Sequence, residues 1–106
     1  MAESGREICL PPFSLVHLGR RDERRNIYPH IDFTQDGGAL YGVSRQHARI
    51  HQSERGIYIE DLDSTNGTRL NGQRLTPSQI YLIQHGDKLH LGELQLVVVL
   101  SPATDT

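Results

Sequence analysis

The chain has 106 residues and a formal charge of −2, with 36% apolar and 23% charged side chains, the profile of one ordinary soluble globular domain. No whole-chain basic field exists to attract nucleic acid or a membrane surface, and the longest apolar run, residues 96–100, is far too short to span a bilayer. A core of this size is modest, so working residues are expected on loops and not around a large internal site.

Met1 to Glu7 carry acids and no long apolar stretch, so no signal peptide is expected there. Residues 7–10 and 13–18 are short apolar strand candidates separated by Pro11-Pro12. The lone Cys9 has no partner for an internal disulfide and fits a reducing, cytoplasmic setting. Residues 20–26 read as a charged loop, in which Arg21, Arg24 and Arg25 mix with Asp22 and Glu23 and are assigned to solvent. A short strand is expected over 29–33, followed by turn chemistry at Asp36-Gly37-Gly38. In the strand over 47–52, Ala48 and Ile50 face one way while His47, Arg49 and His51 face the other. Another strand covers 57–62, with Ile57 and Ile59 on one face. Asn66-Gly67 and Asn71-Gly72 are tight-turn dipeptides that favour positive φ. Strands over 81–83, 88–91 and 94–100 complete the chain, the last apolar on both faces at its end and therefore central in its sheet. Nine to eleven short strands, with no long 3.6-residue apolar period, indicate an all-β sandwich or barrel. A single domain is expected over 1–106, with its core at 7–100 and flexible ends at 1–6 and 101–106.

The unusual polar residues gather at strand ends in three clusters: Gly19-Arg20, Ser44-Arg45-Gln46-His47, and Asp61-Leu62-Asp63-Ser64-Thr65-Asn66-Gly67-Thr68. Loops at one end of a sandwich converge, so these clusters would present two guanidinium groups, several hydroxyls and a carboxamide on one surface. That set suits a phosphorylated peptide. A phosphomonoester carries about −1.5 to −2 charges and three strong acceptors, guanidinium supplies a permanently charged fork of donors, and an Asn carboxamide pairs with both the N–H and the C=O of a peptide backbone. Asp61 and Ser64 are read as loop-bracing hydrogen-bonders, because a carboxylate at the phosphate would repel it.

In order and spacing, Gly19-Arg20, then Val43-Ser44-Arg45-Gln46-His47-Ala48-Arg49-Ile50, then Asp61 through Thr68 and Leu70-Asn71-Gly72, closely resemble the forkhead-associated (FHA) domain family. His85-Gly86-Asp87 and Leu89-His90-Leu91-Gly92 resemble that family's closing strands, so the likeness runs from about Phe13 to Leu100. The resemblance implies a two-sheet β-sandwich of about eleven strands, FHA/SMAD-like, with binding loops at one end, and recognition of phosphothreonine in preference to phosphoserine. It implies that Arg20, Ser44 and Thr65 surround the phosphate, joined by Arg45, and that Asn66 grips the peptide backbone. Gly19, His47, Ser64 and Gly67 are expected to shape and support the site. The partner is then a phosphothreonine-containing protein or peptide marked by a Ser/Thr kinase. A parent chain with further modules is expected, and no cofactor is. The segment 34–42 is long and glycine-rich beside the compact form of this loop, and Gly42 brings no side chain to reading the residue three places after the phosphothreonine.

Other functions fit the sequence less well. A phospho-independent scaffold or self-association domain on the same fold would have no need of Arg20, Ser44, Arg45, Thr65 and Asn66 together. Catalysis lacks a nucleophile–base pair and a carboxylate cluster for a metal, so the chain is read as no enzyme. His47 and His51 stand four apart, but in a strand with no third ligand close in sequence, and no metal site is assigned. Nucleic acid binding lacks a basic–aromatic stripe.

Overall fold

The computed structural model describes residues 5–100. Ten strands are present among them: β1 (Arg6–Cys9), β2 (Leu15–Gly19), β3 (Ile31–Asp32), β4 (Gln46–Ser53), β5 (Gly56–Asp61), β6 (Thr68–Leu70), β7 (Gln73–Arg74), β8 (Ile80–Leu82), β9 (Lys88–Leu91) and β10 (Leu94–Val99), with one short helix, α1 (Gly38–Tyr41). They form two five-stranded sheets, in the orders β1-β10-β9-β6-β7 and β3-β2-β4-β5-β8. The expected all-β sandwich is therefore found, with ten strands against an expectation of about eleven. In the charged loop Asp22 and Ile27 make an isolated bridge and no strand.

Alternation builds the core. Val16 and Leu18 of β2, Ala48 and Ile50 of β4, Ile59 of β5, Leu89 and Leu91 of β9, and Leu96 and Val98 of β10 all point inward and are buried. Each such chain stabilises the fold by roughly 1.5–3 kcal/mol relative to exposure, less for Ala48. Strand β10 lies between β1 and β9, central as expected. Two pairings are parallel, β1 with β10 and β2 with β3, and no local pattern announces them.

Several local expectations need correction. The expected strand over 29–33 shrinks to Ile31–Asp32, and the one over 81–83 sits at Ile80–Leu82. The segment after Phe33 is more than a turn: a 3₁₀ turn at Thr34–Asp36 runs into α1, whose ends are closed by Gly37 (φ 77) and Gly42 (φ 85). Local glycine conformation, not apolar periodicity, makes this helix. His47 does not share the outer face with Arg49 and His51. The register between β2 and β4 steps from Leu18↔Ala48 to Gly19↔Gln46, a β-bulge that leaves His47 unpaired and turned inward. Of the ends expected to be flexible, Arg6 already belongs to β1, and 1–4 and 101–106 lie outside the described residues. No helix among the described residues is long and apolar enough to cross a membrane.

Candidate functional site

The bulge in β4 decides where the first two clusters meet. It brings the Arg45 carbonyl onto the end of β2, where the Arg20 N–H donates to it at 3.1 Å. A Cβ on Gly19 would stand 1.9 Å from that same oxygen, so only glycine permits the approach. The Arg20 side chain then runs beside α1. Its Nε donates to the Val43 carbonyl at 2.5 Å, and its stem packs on Gly38, where a Cβ would come within 3.1 Å of Arg20 Cγ.

His47 ties the second cluster to the third from below. Its Nδ1 accepts the Ser44 N–H at 2.9 Å, and its Nε2 lies 3.0 Å from the Gly67 carbonyl. Because Nδ1 accepts, the proton sits on Nε2, which donates to Gly67; the ring is neutral. Burial pushes its pKa down, against the smaller raising effects of the Gly67 carbonyl and Asp61.

The third cluster folds around Asp61, which is 1% exposed. Its Oδ1 accepts from the hydroxyls of Ser64 and Thr68, both at 2.6 Å, and its Oδ2 from the Ser64 N–H at 3.1 Å. Ser64 Oγ in turn accepts the Gly67 N–H at 3.0 Å. This closed circuit holds Thr65 and Asn66 outward, both exposed. The Thr65 N–H reaches across to Ser44 Oγ at 3.2 Å. Asn66 Nδ2 donates to the Gly42 carbonyl at 2.9 Å, and a Cβ on Gly42 would strike that Nδ2 at 2.6 Å.

Arg20, Ser44, Arg45, Ser64 and Thr65 line one open cleft of about 340 Å³. Asn66 stands beside it on the loop that carries Thr65, while Gly19, His47 and Gly67 lie buried beneath. Arg45 is not free: its Nη1 donates to Asp22 at 2.9 Å. Partial burial alone would raise the Asp22 pKa, but hydrogen bonds from the Arg25 N–H and the Arg45 guanidinium outweigh it and hold it down. Arg25, which the sequence assigns to solvent, borders the same cleft, as do Ile27, Gln46 and Asp63. A usable signal was Asp22 three residues before Arg25, with Asn26 and Ile27 following: a cap, a left-handed turn and an apolar anchor that fold the loop back. Arg21 and Arg24 are exposed, as expected.

Chemically, the cleft is a donor surface. The hydroxyl of Ser64 is committed to Asp61, and both ring nitrogens of His47 are occupied by backbone groups. Neither supplies a nucleophile–base pair of the kind hydrolysis requires. His51 lies apart, on the outer face of β4, with Nε2 2.8 Å from Glu60.

A family model for the FHA domain matches residues 16–92. The chain is similar to protein FraH of Nostoc sp., at 38% identity over 99 residues, covering 92% of this chain and 33% of that one; it thus spans about a third of that relative's length. The solution structure of the FHA domain of an Arabidopsis thaliana hypothetical protein superposes with a TM-score of 0.66 at 31% identity, covering 91% of this chain and 75% of that one. A structure from a study of phosphothreonine-dependent FHA domain interactions superposes with a TM-score of 0.63 at 27% identity, covering 85% and 80%.

Proposed function

The chain belongs to the FHA domain family, a family of interaction modules, and from that premise we propose that it binds a phosphothreonine-containing segment of a partner protein in the cleft bordered by Arg20, Ser44, Arg45 and Thr65. The observation that carries this reading is the convergence of those four residues, from three separate loops, on one solvent-open cleft. The structural likeness to an FHA domain studied for phosphothreonine-dependent interactions supports it.

In this reading Arg20 and Arg45 donate to the phosphate oxygens, with the hydroxyls of Ser44 and Thr65 and nearby loop N–H groups completing the shell. Asn66 exchanges its Gly42 partner for the backbone of the peptide. The folded unit is a single domain, and the partner is a substrate of a Ser/Thr kinase. Each charge-assisted bond contributes roughly 1.5–3 kcal/mol net, enough for a short peptide to be held without a deep pocket.

The experiment is a titration with degenerate phosphothreonine, phosphoserine and unphosphorylated peptide pools, repeated with Arg20→Ala. Binding confined to phosphothreonine is expected, weakened in the variant by roughly tenfold to a hundredfold, the loss of one charge-assisted bond. Arg20 also bonds to Val43, so circular dichroism must show the variant folded. Equal affinity for phosphorylated and unphosphorylated pools would refute the proposal and turn attention to self-association, tested by molecular size across concentration.

A further inference from the structure

The loop between β2 and β3 is built to hold a third guanidinium at the cleft. The Asp22 N–H donates to the Ile27 carbonyl at 3.0 Å, and the Ile27 N–H returns to the Asp22 carbonyl at 2.9 Å. Between these bonds Glu23–Arg25 make a 3₁₀ turn, closed by Asn26 at φ 59. The Asp22 carboxylate caps that turn through the Arg25 N–H at 3.4 Å. It also stands 2.9 Å from Arg45 Nη1 and 3.7 Å from Arg25 Nε. One carboxylate, with only 16% of its side chain exposed, thus anchors two guanidinium groups that keep 41% and 63% of theirs open to water.

The charges at the cleft give this arrangement its meaning. Arg20, Arg25 and Arg45 line the cleft with Asp63, and Asp22 pairs with Arg45 and Arg25 beside it. Three positive charges less one negative leave two among the lining residues; without Arg25 the count is one. Arg24, its neighbour in sequence, carries the same charge but does not line the cleft.

We propose that Arg25 is a further phosphopeptide-binding residue of this domain, a third guanidinium that adds to the positive charge of the cleft and contacts the dianionic phosphate from the loop wall, with Asp22 as the residue that positions it and Arg45. The inference rests on the functional reading above and deepens it. A phosphate entering the cleft finds Arg20 held by Val43 and Arg45 by Asp22, so little freedom of those two side chains is lost on binding, while the more open Arg25 meets it from the loop wall.

The test is the affinity of a phosphothreonine peptide selected on the wild-type protein, measured at low and high salt for Arg25→Ala, Arg25→Lys, Arg25→Glu and the control Arg24→Ala. Arg25→Ala is expected to weaken binding about two- to fivefold at low salt, the range of a solvent-exposed ion pair, and less at high salt. Arg25→Glu is expected to weaken it further, and Arg25→Lys and Arg24→Ala to stay near wild type. Because the Arg25 side chain is largely exposed, all four variants are expected to fold, as circular dichroism would confirm. Equal effects of Arg24→Ala and Arg25→Ala, or none from either, in a protein whose binding is still lost with Arg20→Ala, would overturn this inference alone. A wild-type protein that ignores the phosphate would overturn the functional reading and this inference with it.

Discussion

Replacing His47 with Leu tests whether the bulge and its histidine hold the site together. The two side chains are similar in bulk, so little cavity arises. What is lost is polar. The Ser44 N–H loses its acceptor at 2.9 Å, and the Gly67 carbonyl loses one of two donors, keeping the Gly92 N–H at 3.0 Å. An orphaned N–H costs about 1–3 kcal/mol and the second bond about 1 kcal/mol, so a loss of about 2–4 kcal/mol is expected out of a total of some 5–15 kcal/mol. Urea unfolding should show a lower midpoint with an unchanged slope. The acid side of the stability profile should change too. Burial holds the folded His47 pKa below its ordinary value of 6.5, so between the two values the unfolded chain binds more protons than the folded one. The stability linked to His47 is then full above pH 6.5 and is lost as pH falls toward the folded value. His17 is shifted the same way, mainly by burial, so the wild-type profile contains both and only the difference from His47→Leu isolates one. A loss under about 1 kcal/mol, or identical pH profiles for the two proteins, would refute the reasoning.

Gly42→Ala should disturb the peptide grip. Its Cβ would meet the mobile end of Asn66 at 2.6 Å in a backbone with φ 85, so a stability loss of about 1–2 kcal/mol is expected, together with weaker phosphopeptide binding by titration calorimetry; unchanged affinity would remove Asn66 from the peptide-binding set. Asp61→Asn should place an NH₂ against the Ser64 N–H or against the two hydroxyls that donate at 2.6 Å, costing about 1–3 kcal/mol in urea unfolding. An Asp61→Asn protein as stable as wild type would mean that the circuit around Asp61 does not brace the loop.

Much of the fold was legible because the relevant signals are local. Alternating apolar residues in β2, β4 and β10 report which side chains face inward, and Asn-Gly pairs mark where the chain reverses, whatever the strands pair with. The candidate site was legible for a related reason: Arg20, Ser44, Arg45, Thr65 and Asn66 stand at strand ends, where a side chain adds nothing to the core and ligand chemistry is the simplest account of it. Residue identity and spacing, without a partner strand in view, determine that much.

What the tertiary structure alone decided concerns partners distant in sequence. Nothing in residues 6–9 says that β1 lies parallel to β10, because hydrogen-bonding edges are alike in every strand and only the whole packing selects among them. Alternation placed His47 outside, yet one extra residue opposite the end of β2 turned it inward, a rotation that depends on Gly19 yielding to the Arg45 carbonyl. By sequence Arg25 is one solvated arginine among several; the fold brings Asp22 within 3.7 Å of it and 2.9 Å of Arg45, 20 residues further on, at the same cleft. A charge has no periodicity to betray its neighbours; its place follows from which opposite charge the fold brings within about 4 Å, where Coulomb attraction is strongest.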